Sequence, residues 1–129
     1  MRIFGEKLGM AFQIKDDLFD MLGVKSKTGK NFGADVKKNI ITLPLIHSYS
    51  TLTKSESKQV KKILNLKRKT QKDISELTEL VDASGGFEYA NQKIDEFSNQ
   101  AMDILGEYPD SPYKQSLTDL VVFNSHRNY

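Results

Sequence analysis

Apolar residues recur at three- and four-residue steps along most of the chain, and no segment alternates convincingly with period two. The pattern therefore predicts an all-α protein of about six helices. Leu8, Ala11, Ile14, Leu18, Met21 and Leu22 form the first stripe and predict a helix from about Ile3 to Leu22, with Gly23 placed to end it. No Ser, Thr, Asp or Asn stands where it could cap that helix, so the chain is expected to begin inside or just ahead of a helix that belongs to something longer. From Gly23 to Asp35 the helical period is lost. The segment from Ile40 to Tyr49 is apolar and predicted helical after Pro44, which a first turn accepts.

Thr53 and Glu56 form a capping box that opens a helix through Val60, Ile63, Leu64 and Leu66, expected to end in Lys67-Arg68-Lys69. A further helix is predicted from about Lys72 to Ala83, stopping at Gly85-Gly86. The next carries the stripe Phe87, Ala90, Ile94, Phe97, Ala101, Ile104 and Leu105. A turn at Tyr108-Pro109-Asp110-Ser111-Pro112 then leads into a last helix, with Ser111 as cap, Pro112 in its first turn, and Leu117, Leu120, Val121 and Phe123 as its apolar positions.

Length and composition narrow the function classes. With 129 residues there is room for one domain with a real core. The formal charge of +2, from 19 basic and 17 acidic residues, is too balanced to suggest a nucleic-acid protein. Cysteine is absent, which excludes disulfides, thiolate metal sites and a cysteine nucleophile, and suits a reducing cytoplasmic setting. The longest apolar run, around Ile40 to Ile46, is broken by Thr42 and Pro44 and is far too short to span a bilayer. The N-terminus shows no signal-peptide pattern, so the expected localisation is cytoplasmic.

Candidate chemistry concentrates on the first helix. Gln13 lies one turn before Asp16 and Asp17, and Asp20 one turn after, so the four share a broad polar face. Carboxylates at that spacing repel one another, and the local sequence offers only Lys15 as a counter-charge. A hard divalent cation with oxygen ligands is the natural external neutraliser; the alternative is a plain solvated helix face. The loop after the helix, with three glycines and three lysines between Gly23 and Asp35, can bring backbone amides and ammonium groups to a phosphate, or serve as a connector. It lacks the spacing of a P-loop. Lys67-Arg68-Lys69 has no interleaved aromatics and reads as a solvated helix end. His47 and His126 have no partner at catalytic spacing, and neither a Ser/His/Asp arrangement nor a nucleophile elbow appears.

The stretch Leu8-Gly9-Met10-Ala11-Phe12-Gln13-Ile14-Lys15-Asp16-Asp17-Leu18-Phe19-Asp20 resembles the second aspartate-rich motif of the trans-prenyltransferases, the polyprenyl diphosphate synthases. The likeness continues through Gly29-Lys30-Asn31-Phe32-Gly33-Ala34-Asp35 and Thr42-Leu43-Pro44-Leu45-Ile46, and more weakly through Gly85-Gly86-Phe87-Glu88-Tyr89-Ala90 to the last helix. The later helices look most similar to the octaprenyl, heptaprenyl and solanesyl branch.

The resemblance implies the C-terminal portion of an isoprenoid-synthase-type helical bundle, with residues 1–129 forming part of a single polyprenyl synthetase domain. It also implies a homodimeric parent enzyme that condenses isopentenyl diphosphate with an allylic diphosphate, with Mg2+ as Lewis acid and template for the departing diphosphate. Carried over by position, Asp16 and Asp17 would hold magnesium, with Asp20 contributing directly or through water. Gln13 and Lys30 would face the substrate diphosphate, while Gly33 and Asp35 shape the loop. Two departures stand out. Asn39-Ile40 replaces the Gly-Lys usual before Thr-Leu-Pro, with Lys37 or Lys38 as a substitute charge, and the first aspartate-rich motif would lie upstream of Met1. The chain alone is therefore expected to turn over negligibly, to expose apolar faces and to associate. The alternative is a helical interaction module of the same fold that has lost catalysis.

Overall fold

A computed structural model describes residues 1–22 and 43–127, with only the backbone described at Asp20 and Leu22. Among these residues all regular structure is helical: α1 (Arg2–Leu22), α2 (Leu43–Ser48), α3 (Lys54–Leu64), α4 (Gln71–Ala83), α5 (Gly86–Gly106) and α6 (Pro112–His126). The all-α expectation is borne out, as is the count of about six helices among the described residues. The chain divides into two compact units, one of Met1–Asp16 with Asn91–Asn128, the other of Asp17–Ala90.

The first unit is built around Phe4, Ala101, Leu105 and Val121, with Leu8, Met102, Ile104 and Leu117 packed against them. These positions come from the first part of α1, the later turns of α5 and the middle of α6, where spacings of three and four residues put them on single faces. Ser111 caps α6 as its pattern predicts, its hydroxyl accepting from the Lys114 N–H at 3.0 Å, with Pro112 in the first turn. The inward face of α6 differs from the expected one. Val121 and Asn124 are buried, whereas Leu120 and Phe123 are 46% and 63% exposed. Leu117, Val121 and Asn124 follow four- and three-residue steps, so Leu120 and Phe123 fall on the neighbouring face.

In the second unit α2 and α3 both pack against α4. Leu18, Met21, Leu45, Val60, Ile63, Leu64, Ile74, Leu77, Val81, Phe87 and Ala90 are its buried apolar side chains among the described residues. The Thr53–Glu56 capping box is formed: the Thr53 hydroxyl accepts from the Glu56 N–H at 3.2 Å and the Glu56 carboxylate accepts from the Thr53 N–H at 2.9 Å. That helix ends earlier than expected, at Leu64, with Asn65 as its cap. Lys67 and Arg68 are exposed beyond it, so the basic run is no helix end. The reason lies just downstream, where Thr70 and Asp73 form a second capping box that opens α4. Its Asp in place of the usual Glu or Gln hides it from a pattern search.

The glycine pair between α4 and α5 serves two needs. Gly85 sits at φ +81°, the left-handed region where a side chain is strained. Gly86 opens α5 so close to α2 that a Cβ there would lie 2.5 Å from the Pro44 carbonyl oxygen. His47 stacks on Tyr89, ring centroids 4.1 Å apart and planes 6° from parallel, a packing role consistent with its lack of a catalytic partner.

Candidate metal and diphosphate site

Helix α1 presents the acidic motif. Its apolar stripe is inside as expected, with Ala11, Ile14, Leu18 and Met21 all buried. One turn away, Gln13 is exposed, and Asp16 and Asp17 are each half-buried. The boundary between the two units falls between Asp16 and Asp17. The Asp20 carboxylate and Lys30, with the whole of the loop that resembles the family's, lie outside the described residues. Among the described residues, no three His, Cys, Asp or Glu side chains cluster tightly enough to hold a metal on their own.

The counter-charge for Asp16 comes from the far end of the chain rather than from its neighbours. Arg127, just past α6, donates from Nη1 to Asp16 Oδ1 at 3.0 Å and from Nη2 to the Phe12 carbonyl at 3.4 Å. Its guanidinium carbon stands 4.3 Å above the centre of the Phe12 ring. The Arg127 side chain is 15% exposed and that of Asp16 40%. Helical spacing explains the reach: Phe12 and Asp16 are one turn apart on α1, so one guanidinium can cover the ring and meet the carboxylate. An ion pair this open to water is worth at most about 1 kcal/mol, which a divalent cation can overcome.

Lys15, the counter-charge suggested by the local sequence, is directed elsewhere. It is 7% exposed, and its ammonium donates to the Ser125 carbonyl at 3.3 Å. Burial pushes its pKa below the ordinary lysine value, the nearby Arg127 charge adds to that, and Asp95 opposes it. Ser125 in turn donates to the Ser98 hydroxyl at 3.0 Å, tying α6 to α5 behind the motif. Sequence reasoning missed Arg127 and the α6 terminus altogether. The one available signal was the charge imbalance of the acidic face, which pointed to a cation from outside the chain and not to Arg127.

Among the described residues a metal ion would find Asp16 and Asp17 on α1 and no third carboxylate clustered with them. Magnesium takes one or two carboxylates and fills its remaining positions with water and phosphate oxygens, and Asp16 already gathers positive charge around its carboxylate.

A family model described as polyprenyl synthetase matches residues 1–81, which is most of the chain and includes the whole acidic helix. The chain belongs to the polyprenyl synthetase family. Among polyprenyl synthetases of known kind, the octaprenyl diphosphate synthase of Haemophilus influenzae is 29% identical over 126 residues, covering 98% of this chain and 38% of that protein. Geranylgeranyl pyrophosphate synthetase from Pyrococcus horikoshii Ot3 superposes with a TM-score of 0.86 at 27% identity, over 98% of this chain and 38% of that one. A polyprenyl synthase from Caulobacter crescentus CB15, complexed with calcium and isoprenyl diphosphate, gives 0.84 at 27% identity over the same shares. This polyprenyl synthetase chain thus spans less than half the length of the relatives it matches. Among its described residues no helix is long and apolar enough to cross a membrane.

Proposed function

We propose that the chain is the C-terminal part of one polyprenyl synthetase domain and supplies one acidic wall of a magnesium-diphosphate site. The parent enzyme is a homodimeric trans-prenyltransferase that condenses isopentenyl diphosphate with an allylic diphosphate. The observation that carries this reading is the family's acidic motif on α1, with Asp16 and Asp17 half-buried beside the exposed Gln13. Asp16 and Asp17 would hold the metal, with Asp20 completing the set and Gln13 and Lys30 meeting the diphosphate. Bound there, magnesium would supply Lewis-acid neutralisation of the departing diphosphate. The chain's own part is to present oxygen donors on a helix whose buried stripe of Ala11, Ile14, Leu18 and Met21 turns the acidic residues to the other face. Alone it turns over negligibly, because electrostatic stabilisation of the leaving group needs the opposite acidic wall.

One observation favours a second reading, an interaction module of the same fold without catalysis: Arg127 by itself already neutralises Asp16. Calorimetric titration of magnesium, with and without inorganic diphosphate, separates the two. Diphosphate-dependent magnesium binding that Asp16→Ala/Asp17→Ala abolishes is the result expected of a half-site. Absence of binding under both conditions supports the module.

A further inference from the structure

We propose that Arg127 is a resident counter-ion of the metal site, occupying the Asp16 carboxylate until magnesium displaces it, so that metal binding is coupled to release of the α6 terminus from α1. This rests on the assignment of Asp16 as a metal ligand. Three contacts carry it. The Nη1–Oδ1 pair at 3.0 Å places a cation on the carboxylate that the metal would use, and the Nη2 bond to the Phe12 carbonyl and the stacking on the Phe12 ring hold the guanidinium in that place. The three contacts lie within the first unit and converge on one turn of α1.

A guanidinium and a magnesium ion on one carboxylate compete for its charge, because like charges a few ångströms apart repel. The arginine is the partner free to yield, since it is held by a weak pair at the end of a helix. Lys15 limits how far the release extends: its ammonium is bonded to the Ser125 carbonyl, two residues before Arg127, and holds α6 to α1 there when the guanidinium leaves. Arg127 therefore acts as a positioning residue, keeping Asp16 aimed and charge-balanced while the metal is absent.

The experiment is calorimetric titration of magnesium chloride alone into the wild-type chain, Arg127→Gln, Arg127→Lys, Asp16→Asn and the Asp16→Asn/Arg127→Gln double variant, with circular dichroism to verify folding. Removing a competitor strengthens binding, so Arg127→Gln should bind magnesium about threefold more tightly, as expected for an exposed ion pair, and Arg127→Lys should fall near wild type. In the Asp16→Asn background the gain should vanish. In the wild-type chain the Arg127 side-chain nitrogen resonances should move as magnesium is added, an effect that loss of fold in a variant cannot mimic. A merely structural arginine would leave affinity unchanged or weaken it, and either result overturns the proposal, as does a gain that persists in the double variant. Asp16-dependent magnesium binding with no gain in Arg127→Gln sinks this inference alone. No magnesium binding in any variant without diphosphate overturns this inference, and its absence with inorganic diphosphate present as well sinks the metal assignment with it.

Discussion

Replacing Gly86 with alanine adds one methyl group where the structure leaves no room. A Cβ there would lie 2.5 Å from the Pro44 carbonyl oxygen, 2.8 Å from Ser48 Oγ and 2.8 Å from Val81 Cγ1. None of these atoms yields easily. The carbonyl is backbone and already accepts the Ser48 hydroxyl at 2.8 Å, and both Ser48 and Val81 are fully buried. Overpacking of this kind costs about 1–3 kcal/mol. Against it stands the entropy removed from the unfolded chain on replacing glycine, about 0.4–1 kcal/mol. The overpacking wins, and Gly86→Ala should lose about 1–2 kcal/mol, a fall in Tm of roughly 3–10 °C for a chain of this size.

Gly9 supplies the opposite case on α1, where a Cβ meets nothing within 4 Å. Gly9→Ala should therefore gain about 0.5–1 kcal/mol from helix propensity alone. Urea unfolding followed by circular dichroism reads both. If Gly86→Ala proved as stable as wild type, the close approach of α5 to α2 would be wrong, and with it the account of the paired glycines.

Asn124 is 1% exposed and, among the described residues, neither its amide oxygen nor its nitrogen has a hydrogen-bond partner. Asn124→Leu should stabilise the chain by about 1–2 kcal/mol in the same urea assay, since it removes an uncompensated desolvation cost; a loss of stability would refute that. At the start of α4, the Thr70 N–H and hydroxyl, aided by Lys72 and Lys69, hold the Asp73 carboxyl below the ordinary value of 3.8. A depressed folded pKa gives stability that is present above the unfolded value and lost as pH falls from there through the folded one. Asp73→Asn should thus flatten the stability profile below 3.8 and leave its slope near neutrality unchanged, as thermal melts across that range would reveal. Thr53→Ala, which removes the cap of α3, should cost about 1 kcal/mol by urea titration. Ile3, Met10, Phe12 and Phe123, each 45% exposed or more, should drive self-association that light scattering detects; a well-behaved monomer would contradict it.

Much of this protein follows from local rules that the sequence carries by itself. A period of three to four residues buries one face of each helix, so the stripes of α1 and α5 and the all-α class were legible. So were the Thr53–Glu56 box and the Ser111-Pro112 start, because caps act over three residues. The acidic face of α1 was legible too, and its excess charge pointed to an external divalent cation rather than to a residue of the chain. Tertiary structure alone decided which cation answers it. Arg127 lies 111 residues from Asp16 and reaches it only because α6 returns along α1, and nothing in residue spacing encodes that return. The inward face of α6 was decided the same way: an asparagine is buried and a phenylalanine exposed, since the neighbours a helix meets, rather than its own hydropathy, select the face it buries. Gly86 is the third such case, a helix start in sequence and a contact with the Pro44 carbonyl in space. Short-range patterns follow from backbone geometry common to all chains, whereas ion pairs and close approaches between distant residues depend on how this chain packs.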